Sequence, residues 1–234
     1  MHLRLDFCDH KAALYACEHW HYSKCVPKGK LVKIGVWEDG QFQGAIIFSP
    51  GASSHLGKPY GLGPFEITEL TRVALRKHQT PVSKLISIAI KLLKKHCPGL
   101  RLIVSFADPH EGHNGGIYQA GNWIYAGKTG KGITYFDKSG KRWHSRNVGK
   151  EALVETSGWG MKKAPSKNLM RVIRPGKHRY LYPLDQEMKD RVMSLAQPYP
   201  KKEASVAQQV EYPASTREMV VQVQPGRSNS STKD

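Results

Sequence analysis

The order of hydrophobic and polar positions predicts alternating strands and helices along the first part of the chain. LRLDF (3–7) is typical of a strand, and HKAALYACEHWHY (10–22) places alanine, leucine and aromatic residues at helical spacing. Two β-rich runs within LVKIGVWEDGQFQGAIIFSPG (31–51) flank the dipeptide Asp39-Gly40. Because this dipeptide is a strong two-residue turn signal, the segment predicts a hairpin.

The following segments complete an α/β pattern. FEITELTRVAL (65–75) predicts a strand, and TPVSKLISIAIKLLKKH (80–96) predicts a buried helix with proline in its first turn and lysines at its end. RLIVSFAD (101–108) has the continuous apolar character of a buried strand. HNGGIYQAGN (113–122) predicts a short helix, and WIYAGKTGKGITYF (123–136) predicts one or two strands. The order β-α-β-β-β-α-β-α-β predicts an α/β domain with a mixed central sheet flanked by helices and a right-handed β-α-β crossover.

Length and composition define the expected domain organisation. The 234 residues, 39% of them hydrophobic, suit one folded domain over residues 1–185, of which 128–180 is a strongly basic part. A terminal helix or linker is expected over 186–200, followed by a polar, disordered tail over 201–234. No apolar run reaches membrane-spanning length and no signal peptide is recognisable, so a cytoplasmic protein without membrane contact is expected. The four cysteines are expected to be reduced thiols.

The charge of the chain favours a polyanionic partner. The sequence has 36 basic and 19 acidic residues, a net charge of +17. Residues 201–234 contribute only +1, from five basic and four acidic residues, so the excess belongs to the predicted domain. Lysine and arginine side chains that neutralise phosphates release counterions, which favours nucleic-acid binding. A basic surface exposed only to solvent is the alternative.

Two successive segments concentrate this charge among aromatic residues. Residues 128–150 contain seven Lys/Arg and one acid, and residues 161–179 contain seven Lys/Arg and no acid. Such segments suit a phosphate backbone and an exposed base. The candidate DNA-binding residues are Lys141, Arg142, Trp143, Arg146, Lys162, Lys163, Arg171, Arg174 and Arg179.

Two charged residues of the predicted strands are candidates for chemistry. Arg72 lies in an apolar strand, where a charge is costly unless paired, and Glu69 would point to the opposite face of an ideal strand. Arg72 is therefore a candidate anion holder, with an ion pair to Glu66 or Asp108 as the alternative. Asp108 ends a buried strand, where ligand sites of α/β sheets cluster. It is a candidate general base or metal ligand, with capping of the next helix as the alternative.

Four segments together resemble a known family. They are HYSKC (21–25), ELTRVAL (69–75), VSFADPHEGHNGGIYQAGNWIYAGKT (104–129) and KHRYLYPL (177–184). In this order they resemble the bacteriophage Mom proteins within the GNAT acyltransferase superfamily, over roughly residues 3–185. The resemblance implies a GNAT-like fold and a transferase that adds a methylcarbamoyl (acetamido-type) group to the N6 amine of adenine in double-stranded DNA. It also implies protection of phage DNA from host restriction, in the host cytoplasm.

The resemblance also implies a donor site and an acid. Acetyl-CoA or a related acyl donor is implied, held by Arg72, Ser83 and Lys84; iron is a second candidate cofactor. The loop RKHQTPVSK (76–84) lacks the glycines of the GNAT phosphate loop, so a pyrophosphate would rest on the helix N-terminus. Tyr118 matches the tyrosine that protonates the departing thiolate in GNAT-like enzymes. Packing in the core is the alternative for this side chain.

The stretch ACEHWHYSKCVP (16–27) could line a substrate site or bind metal. Cys17, His21 and Cys25 recur every four residues, but this spacing is not that of a structural zinc site. The D-x-H-x-x-H pattern of Asp108, His110 and His113 also matches no strong metal signature, so no metal ligand is assigned. The resemblance implies that His21 and Tyr22 face the acceptor and contact a base.

Two other functions remain open. A GNAT acetyltransferase acting on a protein, tRNA or small-molecule amine would share the fold. A non-catalytic nucleic-acid-binding protein would share the basic surface.

Overall fold

A mostly antiparallel seven-stranded sheet forms the centre of the protein. The computed structural model describes residues 2–140, 142–144, 148–149, 164–165 and 169–201. The strands are β1 (Leu3–Phe7), β2 (Val32–Glu38), β3 (Gln41–Ser49), β4 (Ile67–Leu75), β5 (Leu102–Ala107), β6 (Ile124–Lys128), β7 (Gly132–Phe136), β8 (Arg142–His144), β9 (Val148–Gly149), β10 (Ala164–Pro165), β11 (Met170–Arg174) and β12 (His178–Pro183). The helices are α1 (His10–Trp20), α2 (Val82–His96), α3 (Gly116–Gln119) and α4 (Gln186–Met193).

The predicted mixed α/β fold is confirmed. The central sheet has the order β1-β2-β3-β4-β5-β12-β6, and only the β4–β5 pair is parallel. Up to β6 the elements follow the predicted order, with two short 3-10 turns in addition. Asp39 and Gly40 form the predicted turn, both with positive φ (48° and 79°). Of the predicted tail over 201–234, residues 202–234 lie outside the described residues.

Helices cover both faces of the central sheet. The apolar side of α2 packs against one face, in a cluster that includes Phe48, Ile103 and Tyr180. On the other face α1 packs over β3 and β4, and α4 packs through Met188 and Val192 over β5 and β12. This arrangement leaves β4 and β5 in the middle of the sheet, between two helical layers.

Two carboxylates with lowered pKa values connect neighbouring segments to this sheet through hydrogen bonds. Glu38 accepts hydrogen bonds from the backbone of Gln79 (3.0 Å) and Thr80 (2.8 Å), which hold its pKa at about 2. Asp185 caps α4 through Met188 N and pairs with Arg101 at 2.9 Å, and this hydrogen bond lowers its pKa to about 2 as well. Both contacts therefore depend on ionised carboxylates.

The protein is expected to lose stability in acid over a defined range. Both folded-state pKa values lie below the ordinary values of 4.5 and 3.8, so the stabilisation is complete above these values and disappears as pH falls toward 2. Urea unfolding at pH 7 and pH 3 measures this loss. Glu38→Gln is expected to cost about 2 kcal/mol at pH 7 and to flatten the acid dependence. An unchanged acid dependence in this variant would contradict the assignment.

Candidate active site

Strands β4 and β5 separate in the middle of the sheet and open a fork. Their parallel pairing runs only from Ile67–Leu102 to Leu70–Ser105, although both strands continue beyond it. The β4 arm stays paired with β3 and the β5 arm with β12. Ser105 Oγ donates to the Leu70 carbonyl oxygen (2.7 Å) at the base of the fork. Side chains from both helical layers can therefore reach one another through this opening.

A β-bulge changes the direction of the side chains on the β4 arm. Glu69 pairs with Ser49 and Arg72 pairs with Ile47, two residues apart on β3, so the bulge lies at Thr71. Paired residues in a sheet share a face, and Glu69 and Arg72 therefore point to the same side. The sequence-based expectation that Glu69 lies on the opposite face from Arg72 is wrong for this bulged strand.

Glu69 is a half-buried carboxylate at the fork that sequence reasoning did not select. Burial raises its pKa above the ordinary value, while the positive charges of Lys177 and Arg72 and a hydrogen bond from the backbone of Ala52 act in the opposite sense. A carboxylate with a raised pKa next to cations is suited to accept and release a proton. Its signal in the sequence is an acid within an otherwise apolar strand.

Arg72 connects the β4 arm to the segment after α1. Its Nη1 donates to Thr71 O (2.8 Å), its Nε donates to Cys25 O (3.3 Å), and its Nη2 lies 4.0 Å from Cys25 Sγ. The contacts described for Arg72 include neither Ser83 nor Lys84. Arg72 thus holds the loop that carries His21 and Tyr22 against the sheet.

Asp108 lies buried where β5 ends. Its Oδ1 accepts from His110 N (3.1 Å), so the predicted capping is present, and its Oδ2 lies 3.3 Å from Lys177 Nζ. Lys177 also acts on Glu69 through its charge. A lysine between two carboxylates therefore forms the polar side of the fork.

Tyr118 reaches the fork from the face of the sheet that α2 covers, opposite to the face covered by α1. Its hydroxyl hydrogen-bonds to Ser105 Oγ at 2.7 Å, and its ring packs on Trp123 and Tyr180. Burial raises its pKa to about 12, and the nearby Tyr22 and Glu69 add to this rise. Tyr118 thus keeps its proton at neutral pH.

The turn before α3 places Tyr118. Gly115 has φ of +84°, and a Cβ atom there would lie 2.2 Å from the Tyr180 ring. Only glycine combines this backbone conformation with this approach to the ring. Tyr180 in turn donates to Asn114 O, which fixes the start of α3.

His21, Tyr22 and His113 form an aromatic wall beside the fork. The ring centroids of His21 and Tyr22 lie 4.3 Å apart, and those of Tyr22 and His113 lie 5.4 Å apart. Tyr22 is 47% exposed. Burial, together with the charges of Arg72 and other neighbours, lowers the pKa of His21 to about 4, so its ring is neutral at pH 7. Nδ1 of this neutral ring accepts from Ser23 N (3.1 Å), which leaves the proton on Nε2.

Ser83 and Lys84 lie in a different place from Arg72. They line an open depression of about 350 Å³ between α2 and α3, together with Ser87, Asn122 and Tyr182. In the loop before α2 the backbone N–H groups of Gln79 and Thr80 already donate to Glu38, so these two groups are not available to the diphosphate of a CoA-type donor.

The candidate DNA-binding residues divide into three groups. Arg171 and Trp143 lie on either side of Tyr135 across the small sheet β11-β7-β8, and the three residues share one face. Arg174 lies 3.8 Å from Glu111, and Arg179 donates to Ala126 O (2.8 Å), so both side chains are engaged inside the protein. Lys141, Arg146, Lys162 and Lys163 lie outside the described residues. Arg142 is described only in its backbone, as part of β8.

Neither a metal centre nor a membrane span is found in the described part of the chain. Over the residues that the structure describes, no three His, Cys, Asp or Glu side chains come together at one point as metal ligands would. Within the same residues, no helix combines the length and apolar character needed to cross a bilayer.

Comparisons with known proteins identify a family. A sequence model of the Mom protein family matches residues 2–201. The methylcarbamoylase Mom of Escherichia phage Mu is 24% identical over 188 residues, which cover 77% of this chain and 76% of that protein.

Solved structures give weaker matches. A candidate phosphinothricin N-acetyltransferase is 12% identical, with a TM-score of 0.43, over 79% of this chain and 100% of its own. A candidate acetyltransferase from Acinetobacter baylyi is 13% identical, also with a TM-score of 0.43, over 79% of this chain and 93% of its own. At these TM-scores the matches support no conclusion about activity.

Proposed function

Because the chain belongs to the Mom protein family, we propose that it is a transferase that modifies the N6 amine of adenine in double-stranded DNA. The methylcarbamoyl group named for the phage Mu relative is the proposed modification. The observation that carries this proposal is the β4–β5 fork, where Glu69, Lys177 and Asp108 face an aromatic wall and a buried tyrosine.

Proton removal is the first task of such a site. The lone pair of the adenine amine is delocalised into the ring, so the amine must be positioned and must lose a proton as the new N–C bond forms. Glu69 suits this task because its raised pKa makes it a stronger base than an ordinary carboxylate. Asp108 already accepts from His110 N and pairs with Lys177, and so its proposed role is to position Lys177 next to the proton acceptor.

An extruded adenine would rest on the aromatic wall. A base inside a duplex does not expose its amine to a deep site, so it must turn out of the stack. Tyr22 offers an exposed ring for stacking, and the neutral His21 offers an Nε2 proton to a base nitrogen. Tyr118, on the other side of the fork, keeps its proton at neutral pH and is proposed to protonate the leaving group of the donor.

The small sheet is proposed to contact the DNA backbone and neighbouring bases. Its row of Arg171, Tyr135 and Trp143 combines a cation with two aromatic rings. Rings and guanidinium groups of this kind stack on bases and neutralise phosphates. The net charge of +17 supports the same partner.

Mass spectrometry of nucleosides from plasmid DNA tests the proposed function. Cells expressing the wild-type protein are expected to contain a new adenosine species whose added mass identifies the group. Arg72→Ala and Asp108→Ala are expected to lower its amount by about tenfold or more, because the site loses its alignment. Arg4→Ala is the matched control, since Arg4 lies on the edge strand β1 over the Trp37 ring. Unmodified DNA from cells with soluble, DNA-binding wild-type protein would contradict the proposal.

A further inference from the structure

We propose that Glu38 permanently fills the anion site before α2, and that the donor substrate of this protein does not dock a nucleoside diphosphate there. The inference about the donor rests on the proposed transferase function. The filled anion site itself follows from the geometry alone.

The two residues before Pro81 have no backbone N–H left for a phosphate. Glu38 lies at the end of β2, is 6% exposed, and reaches the loop with both carboxylate oxygens. Its Oε2 accepts from Gln79 N at 3.0 Å and its Oε1 accepts from Thr80 N at 2.8 Å. The next residue is Pro81, which has no N–H. Three consecutive positions that lead into the helix are therefore closed to an anion.

The negative charge of Glu38 also opposes the binding of a phosphate at this position. Hydrogen bonds from the Gln79 backbone and from the side chain and backbone of Thr80 hold the pKa of Glu38 at about 2, so the carboxylate is charged at neutral pH. A diphosphate drawn to the first amides of α2, at Val82 and Ser83, would lie next to this negative charge. Phosphate sites at helix N-termini depend on free amides and on a positive field, and Glu38 removes the first and weakens the second.

The depression between α2 and α3 indicates which kind of donor the protein could bind without a nucleoside diphosphate. Among the described residues that line it, Lys84 is the one cation, and Ser83, Ser87, Asn122 and Tyr182 supply neutral polar groups. One lysine with hydroxyl and amide groups suits a small molecule that has at most one negative charge. We therefore place the donor among small carboxyl- or amide-bearing molecules or pantetheine-like thioesters, whose binding does not depend on a nucleotide.

Titration calorimetry of the full-length protein with CoA and with pantetheine tests this inference. High salt screens the general attraction of a basic protein for phosphates. We expect the two affinities to agree within about threefold, or neither ligand to bind, because the diphosphate finds no site. A wild-type preference for CoA of more than about tenfold would overturn the proposal.

A variant of Glu38 gives a second measurement. Glu38→Gln keeps the shape of the side chain but removes its charge, and it is expected to increase the affinity for CoA by about tenfold over the wild type. Weaker CoA binding in this variant would count against the proposal. Should the variant not fold, the wild-type comparison of the two ligands still decides the question. Neither binding experiment depends on DNA modification, so failure of the proposed function would show separately, as unmodified plasmid nucleosides.

Discussion

Glu69→Gln is expected to reduce DNA modification by about 10²- to 10⁴-fold, because the site loses its proton acceptor. The wild-type rate is expected to rise with pH through the raised pKa of Glu69, since only the ionised carboxylate accepts a proton. The glutamine variant should lose this rise. Product formation on plasmid DNA, measured by nucleoside mass spectrometry across pH, gives both results.

The stability of Glu69→Gln shows whether lost activity comes from unfolding or from the missing proton acceptor. A carboxyl group whose folded-state pKa is raised costs stability as pH rises above its unfolded pKa, so Glu69→Gln should be at least as stable as the wild type at pH 7. Glu18→Gln, at an exposed position of α1, is the matched control and should keep full activity. A fully active Glu69→Gln enzyme would rule out this residue as the base.

Tyr118→Phe is expected to lower the rate by about 10²-fold or more, because the phenylalanine ring fills the same space but has no proton to donate. The pKa of Tyr118 is about 12, so the wild-type tyrosine stays protonated and should cause no loss of activity on the alkaline side below that pH. Single-turnover rates with saturating DNA measure this step.

A purely structural role for Tyr118 would give a different result. Loss of its hydrogen bond to Ser105 should then lower the unfolding temperature while the rate per folded molecule stays unchanged. Tyr15→Phe is the matched control, because Tyr15 is half exposed on α1. An unchanged single-turnover rate in Tyr118→Phe would remove this residue from the proposed chemistry.

Local patterns predict the elements of this fold well. Strand-like alternation, the Asp39-Gly40 turn and the apolar character of α2 and β5 lead to the observed order up to β6. Each of these signals lies within one segment, where side-chain period and turn chemistry decide the structure. They also identify Asp108 and Arg72 as candidates, to which the family resemblance adds Tyr118, and the structure places all three residues at the fork.

Local sequence patterns do not predict features that depend on contacts between distant parts of the chain. Glu69 was assigned to the wrong face because the bulge at Thr71 has no glycine or other marker in the sequence and depends on pairing with β3. Lys177 approaches Asp108 only because β12 inserts next to β5, far along the chain. The bonds from Glu38 to the α2 loop join positions 41 and 42 residues apart, which no local motif can indicate.

The insertion of β12 between β5 and β6 also limits how the protein can be dissected. A chain shortened from its C-terminal end past residue 178 would leave the backbone edge of β5 unpaired, and such edges promote aggregation. Truncation therefore cannot separate the proposed DNA contacts from the proposed chemistry. An internal graft can, because β7 and β11 are antiparallel neighbours with Phe136 opposite Met170. A short hairpin turn in place of residues 137–169 would close that pair and keep β4, β5 and β12 in the chain.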